Sequence, residues 1–250
     1  MAKKAVKQGT PRQFIGVLVL VAVLGVGGIG YAITRPGATA ITVDPTIPAG
    51  PAEGHLLGKA DAPVQVLEFG DFECPGCGQF ANVTEPDVRA RLVNAGVVAF
   101  RFFDFPLTQH RNTWTAHNAA ACADDQGKFW EMHDRLYAGQ LEWNTEATGN
   151  PLKVMTRYAA DLGMDVKAWQ TCVETQAHAA RIKGNQAEGT RRNIQSTPTF
   201  IIGNKQMPGS LGFDTFKSLV DSALLGMAAD SQGKGRPRAT ADKGAPKKAR

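Results

Sequence analysis

Several things are missing from this chain of 250 residues, and each absence narrows its chemistry. It has no glycine-rich loop that would cradle a nucleotide phosphate. It has no internal repeat, so solenoid and propeller architectures are set aside. Cysteine is scarce, with four residues, and only one C-x-x-C pair occurs. A structural zinc site would need a second pair or two suitably spaced histidines. Cys122 and Cys172 are too far apart to supply the pair, and His110 and His117 do not follow the expected spacing. The first 35 residues contain no acid, and Phe14 to Ile33 contains no charge of either sign. After about residue 228 there is no large apolar side chain.

What is present is unevenly distributed. The formal charge is +5, and a basic chain raises the question of nucleic acid. Five cations (Lys3, Lys4, Lys7, Arg12, Arg35) lie in the first 35 residues, and seven against Asp230 and Asp242 lie in 228–250. The middle of the chain therefore carries a net −5, and no nucleic-acid binding is expected. The 20 uncharged residues of Phe14–Ile33 match the length of a membrane-spanning helix. Basic residues precede that run, which predicts a cytoplasmic N-terminus (1–13), a transmembrane signal-anchor (14–33) and an exported remainder. The small residues Ala38-Thr39-Ala40 keep a cleaved signal peptide as the alternative.

Residues 34–54, rich in Pro, Ala, Thr and Gly, read as an extended linker. Residues 55–227 read as one α/β domain, and 228–250 as a disordered basic tail. Val64–Phe69 and Val97–Phe103 have the composition of buried strands. A helix is predicted from Pro75 towards Asn94, kinked at Pro86. From about 111 to 195 the pattern is helical throughout, with predicted segments Thr113–Asp124, Lys128–Leu141, Leu152–Leu162 and Val166–Gly184. Thr199–Ile202 and Lys205–Met207 flank Gly203-Asn204 as a hairpin, and Phe213–Leu225 is an amphipathic last helix. Strand, helix, strand, helical block, hairpin, helix is the order of a thioredoxin-like sheet with a helical insertion.

The chemistry concentrates at Cys74-Pro75-Gly76-Cys77, at a strand-to-helix junction. Proline favours the first helical position, which makes Cys74 the N-cap. The free amides of Gly76 and Cys77 and the helix dipole then favour the Cys74 thiolate, the nucleophilic form. Cys77, three residues on, shares the helix face and can resolve a mixed disulfide formed at Cys74. An export signal also makes an oxidising compartment the expected setting, where Cys122 and Cys172 are expected to pair with each other.

GKADAPVQVLEFGDFECPGCG (58–78), DFPLTQH (104–110), GKFWEMHDRLY (127–137) and STPTF (196–200) together resemble the DsbA-like thioredoxin-fold oxidoreductases of exported bacterial type. The resemblance covers about residues 55–226. It implies Cys74 as nucleophile, Cys77 as resolving thiol, and a cis Pro198 beside them. A cis bond there would present the Thr197 backbone to a substrate chain, which can add as a short strand. The resemblance also matches Glu68 to a buried acid near the resolving cysteine, able to exchange protons with Cys77. Asp71 and Glu73 are expected on an exposed loop, modestly disfavouring the Cys74 thiolate. Gly76 departs from strongly oxidising relatives, which often carry histidine there. His110, His117, His133 and His178 read as surface or core-edge residues, and Trp114, Trp130 and Trp169 as insertion core.

The expected activity is protein thiol–disulfide exchange, most directly as a disulfide donor. The alternatives are a reductase or isomerase, or a non-catalytic binding or chaperone module of the same fold. No cofactor or metal is expected. The expected partners are reduced exported proteins and a membrane quinone-linked enzyme that reoxidises the chain, which is expected to act as a monomer.

Overall fold

The computed structural model describes residues 16–17, 20–24 and 40–233. In the N-terminal unit, Met1–Thr39, the described residues are helical, and Val17, Leu20, Val21, Val23 and Leu24 are exposed. No helix among the described residues is long and apolar enough to cross a membrane. Most of the expected 14–33 span lies outside the described residues.

The second unit begins at Ala40. Its sheet holds β1 (His55–Leu57), β2 (Val64–Gly70), β3 (Val98–Asp104), β4 (Thr199–Ile202) and β5 (Lys205–Pro208). Their spatial order is β1-β3-β2-β4-β5. β2 and β3 run parallel, from Val64↔Val98 to Gly70↔Asp104, and the other pairings are antiparallel. A parallel pair needs a crossover, and a helix normally supplies it. Here the crossover is the helical run from α1 (Pro75–Gln79) through α2 (Glu85–Val88) to Val93. Two π-helical stretches, Phe80–Thr84 and Arg89–Val93, flank α2. The first π-helical stretch ends just before Pro86, which lies in the first turn of α2 and lacks the N–H that would continue the ladder.

The helical block comprises α3 (Thr113–Asp124), α4 (Phe129–Ala138), α5 (Gln140–Trp143), α6 (Pro151–Asp161), α7 (Val166–Glu174) and α8 (Ala179–Arg191). α9 (Phe213–Gly233) closes the fold. One core lies inside this block around Met132, Leu136, Trp143, Tyr158 and Trp169. A second lies between the sheet and the crossover and last helices, around Val66, Phe80, Phe100, Phe200 and Phe216. The active-site loop lies where the first core meets the sheet, since Phe72, Cys74, Cys77 and Phe102 all belong to that core.

Three expectations need correction. The 34–54 segment is no free linker over its described part. The Ile41 amide donates to Thr115 Oγ1 at 2.8 Å, and the Gly50 amide donates to the Ala180 carbonyl at 2.7 Å. The Glu53 amide donates to Asn185 Oδ1 at 2.7 Å. Gly184 permits this docking, because a side chain there would strike the Gly50 carbonyl. The single helix expected over 166–184 is broken at Gln176, whose φ is +52°. Its side chain bonds the Asp44 amide and the Thr42 carbonyl, contacts more than 130 residues away that local periodicity does not encode. Finally, residues 228–233 continue α9 as helix, although the tail was expected to begin at 228.

Cys122 on α3 and Cys172 on α7 form a disulfide, with Cα atoms 5.9 Å apart and a sequence separation of 50. In the chain-entropy model a loop of that length contributes about 4 kcal/mol. Replacing both cysteines by alanine is expected to lower stability by about that amount in urea unfolding at neutral pH. An unchanged midpoint would mean that the bridge adds nothing to stability.

Candidate active site

β2 ends at Gly70, where a side chain would strike the Phe102 ring, and the chain turns through Asp71–Glu73 into α1. Cys74 is the N-cap, with extended backbone (φ −73°, ψ 124°), and a proline follows in the first turn. Cys74 is 8% exposed and Cys77 is fully buried, and both are free thiols. The Cys74 thiol donates to the Thr197 carbonyl at 3.3 Å, across 123 residues of sequence. The Thr197–Pro198 peptide bond is cis. A Cβ on residue 76 would lie 3.3 Å from Pro198 Cδ and 3.8 Å from Cys74 Sγ. Gly76 therefore leaves the space between the sulfur and Pro198 clear.

These surroundings separate the two thiols. A hydrogen bond from Cys77 is the largest influence on Cys74, helped by Thr197 and by the Cys77 and Gly76 amides. Together they overcome burial and bring Cys74 down to about 6. Neither amide makes a full capping bond to the thiol. They act as the partial positive charge of a helix start, and that charge favours the thiolate. Thr197 serves both forms: its carbonyl accepts from the thiol, and its buried hydroxyl, which has no other hydrogen-bond partner, favours the thiolate. For Cys77 the balance reverses. Burial first, and then the bond to Cys74 and the negative charges of Cys74 and Glu68, push its thiol well above the ordinary range.

Glu68 pairs across β2 with Phe102 on one side and Phe200 on the other, and is 1% exposed. Burial, and then repulsion from Glu85 and Cys74, raise its proton affinity well above the usual carboxylate range.

Asp71 and Glu73 are buried, contrary to the expectation of an exposed loop. Asp71 accepts from the Leu107 amide (2.8 Å), the Thr113 hydroxyl (2.6 Å), its neighbour Glu73 N (2.8 Å) and the His110 ring (2.8 Å). Burial would raise its pKa, but the bonds from His110 and Thr113 and the nearby His117 hold it below the usual range. Glu73 accepts from the Asn112 amide at 2.9 Å and from the Thr145 amide. The two acids thus fasten the start of α3 and the loop after α5 to the active-site turn. A buried carboxylate needs partners of this kind, and apart from the Glu73 amide these lie 36 or more residues away, beyond what local sequence shows.

Gln140 was not legible in the sequence either. Its amide donates to the carbonyls of Phe72 (2.7 Å) and Cys74 (3.0 Å), clamping the turn from the helical side. No motif marks it, and the nearest sequence signal is Gly78, where a Cβ would press on the Gln140 side chain at 3.0 Å. The histidines also differ from expectation. His117 and His133 are fully buried rather than at a core edge, each hydrogen-bonded to an aspartate. Among the described residues the one cluster with metal-ligand spacing is Cys122, Cys172 and His178. Its two sulfurs are joined in the disulfide and are not available as thiolates.

A family model described as Thioredoxin matches residues 51–222. Among curated proteins, the Na(+)/H(+) antiporter NhaA 1 of Salinispora arenicola is 34% identical over 185 residues, which is 74% of this chain and 27% of that protein. The chain thus spans about a quarter of the length of the first curated relatives it matches. Disulfide bond formation protein D of Bacillus subtilis is 26% identical over 199 residues, covering 77% of this chain and 85% of that one. The solved structure of oxidised BdbD from Bacillus subtilis has a TM-score of 0.62 at 24% identity, covering 71% of this chain and 99% of that chain. At that identity the likeness is one of fold.

Proposed function

This chain belongs to the thioredoxin family and is a DsbA-like thiol–disulfide oxidoreductase, and from that premise we propose that it donates disulfides to exported proteins. The asymmetry of the two thiols carries the reading. Cys74 keeps a slight exposure and surroundings that favour its thiolate, and Cys77 is sealed in surroundings that hold its proton. A substrate thiolate attacks Cys74 Sγ of the Cys74–Cys77 disulfide. The S–S bond breaks, and Cys77 leaves with the electron pair and takes a proton from Glu68. A second substrate thiolate then attacks the substrate sulfur of the mixed disulfide, and Cys74 departs as a thiolate. The substrate gains a disulfide and the enzyme retains two electrons. A leaving thiol of low pKa favours that direction. The substrate chain lies along Thr197-Pro198, next to the Cys74 sulfur, and pairs with that backbone as an added strand.

The cycle closes when a quinone-linked membrane enzyme reoxidises the pair. Phe14–Ile33 holds the chain in the cell membrane near that partner, with the catalytic domain on the extracytoplasmic side and the protein acting as a monomer. The Cys122–Cys172 bridge supports an oxidising compartment.

Gly76 withholds the side-chain charge that would make the reduced form very stable. The Cys74–Cys77 potential is therefore expected above thioredoxin's, about −270 mV, and below DsbA's, about −120 mV. Equilibration with glutathione buffers measures it. In parallel, the protein is expected to oxidise a reduced substrate faster than it unscrambles a wrongly paired one. A potential at or below thioredoxin's, or isomerisation faster than oxidation, would favour a reductase or isomerase instead. Absence of both activities would leave a binding module.

A further inference from the structure

Cys77 and Glu68 are both sealed from solvent, so a proton exchanged at Cys77 has to cross protein to reach water. Buried polar atoms normally find a partner, and each exception asks for a reason. Among the buried atoms with no hydrogen-bond partner are Glu68 Oε2, Glu85 Oε2 and His133 Nε2. They come from three different elements, β2, α2 and α4.

Glu85 is 1% exposed and close enough to Glu68 for its charge to hold the Glu68 proton more tightly. Arg89 grips only one of its oxygens, Oε1, through Nε at 2.8 Å and Nη2 at 2.7 Å. The other oxygen, Oε2, is 3.8 Å from His133 Nε2, and neither atom has a hydrogen-bond partner. On the far side of the ring, His133 Nδ1 bonds Asp134 Oδ1 at 2.9 Å, and the Asp134 side chain is 55% exposed.

Apolar rings wall this route. Phe72, Phe102, Trp130 and Tyr137 all lie within 5.6 Å of the His133 ring, centroid to centroid. The charged and titratable groups facing it are Cys74, Cys77 and Tyr137 at the Glu68 end, and Arg89 at the other. Arg89 contacts Glu85, His133 and Asp134 together.

We propose that Glu85, His133 and Asp134 form the route by which the proton of Cys77 leaves and re-enters the protein, with Glu68 as its inner end. The inference rests on the reading of Glu68 as the group that exchanges protons with Cys77. During reoxidation Cys77 gives its proton to Glu68, and the Cys77 thiolate attacks Cys74 Sγ of the mixed disulfide. The partner's sulfur leaves with the electron pair. The proton passes from Glu68 through Glu85 to His133 Nε2, while Nδ1 releases one to Asp134 and water. Electrons move only in the thiol–disulfide exchange, and the proton count balances.

The test uses the reduced full-length protein mixed rapidly with glutathione disulfide and quenched in acid, with intact mass separating the mixed disulfide from the product. Two rates follow, attack by Cys74 and resolution by Cys77, across pH 5–9 in H2O and D2O. Glu85→Gln and His133→Gln are each expected to slow resolution by about tenfold or more and to enlarge its isotope effect. Both variants should leave the attack rate and the alkylation midpoint of Cys74 unmoved. The double variant should be no slower than the slower single, since both lie on one route. Asp134→Asn, at a side chain that is 55% exposed, is expected to slow resolution severalfold. Wild-type resolution in His133→Gln and Asp134→Asn, with Glu68→Gln still slow, would overturn the route and keep the role of Glu68. Wild-type resolution in all three would remove Glu68 as well. Equal slowing of both rates, or a shifted Cys74 midpoint, would show a structural role and overturn the relay.

Discussion

Cys77→Ser is expected to accumulate mixed disulfides with thiol proteins, and Cys74→Ser to form none. The first variant keeps the acidified Cys74 and loses the thiol that would release the substrate. The second keeps only a thiol that is fully buried and holds its proton. Trapping followed by non-reducing electrophoresis reads the difference, and a reversed pattern would reverse the two roles. The same asymmetry predicts a pH profile. Alkylation of Cys74 should rise with a midpoint of about 6. Its stability consequence has a definite sign. Cys74 is lowered in the folded reduced protein from an ordinary 9.0 to about 6. That contribution is complete above about 9 and declines as pH falls, until it is gone below about 6. The oxidised protein has no such group. Reduced protein should therefore lose about 1–2 kcal/mol relative to oxidised protein between pH 8 and pH 6, discounted for the partial exposure of the sulfur. Denaturant midpoints of the two forms measure this, and a constant difference across that window would contradict the lowered thiol.

Asp104→Ala is expected to be among the most destabilising single changes outside the two cores, at about 3–5 kcal/mol. Asp104 is fully buried at the end of β3. It accepts from His117 Nδ1 at 2.7 Å and from Asn185 Nδ2 at 2.8 Å, and His55 Nε2 lies 3.9 Å away. Burial alone would raise its pKa, but His117, His55 and Arg181 bring it far below the usual range. Removing the carboxylate strands His117 and Asn185 in the interior. Asp104→Asn keeps the shape and an acceptor, so it should cost less. Because the folded pKa is depressed, the stabilisation holds above the unfolded carboxylate value and fades as pH falls through the acid range. Urea unfolding of both variants at pH 7 checks the order. Equal, small losses would mean that the lattice is dispensable.

Much of the fold was legible because its signals are local. Short apolar runs mark β2 and β3 as buried strands, the 3.6-residue period marks α6, and Gly203, with φ +60°, marks the β4–β5 turn. Misreadings occurred where a distant partner overrides local pattern. Gln176 breaks a helix to bond residues 42 and 44, and the segment after 40, proline-rich and without periodicity, docks through backbone amides. β1 has three residues, too short to carry any periodicity, and is held by its pairing with β3.

The candidate site divides along the same line. The sequence by itself determined the helix-start placement of Cys74, the spacing to Cys77 and the open position at Gly76, because these depend on four consecutive residues and the φ that proline imposes. Only the tertiary structure decided which groups control those sulfurs. Thr197 reaches Cys74 from 123 residues away, and Gln140 clamps the turn from the helical block. Asp71 and Glu73 turn inward, because His110, Thr113, Asn112 and Thr145 await them there. A charged side chain in a sequence does not reveal whether it meets water or a partner. That choice depends on desolvation weighed against hydrogen bonds, and the balance exists only once the chain has folded.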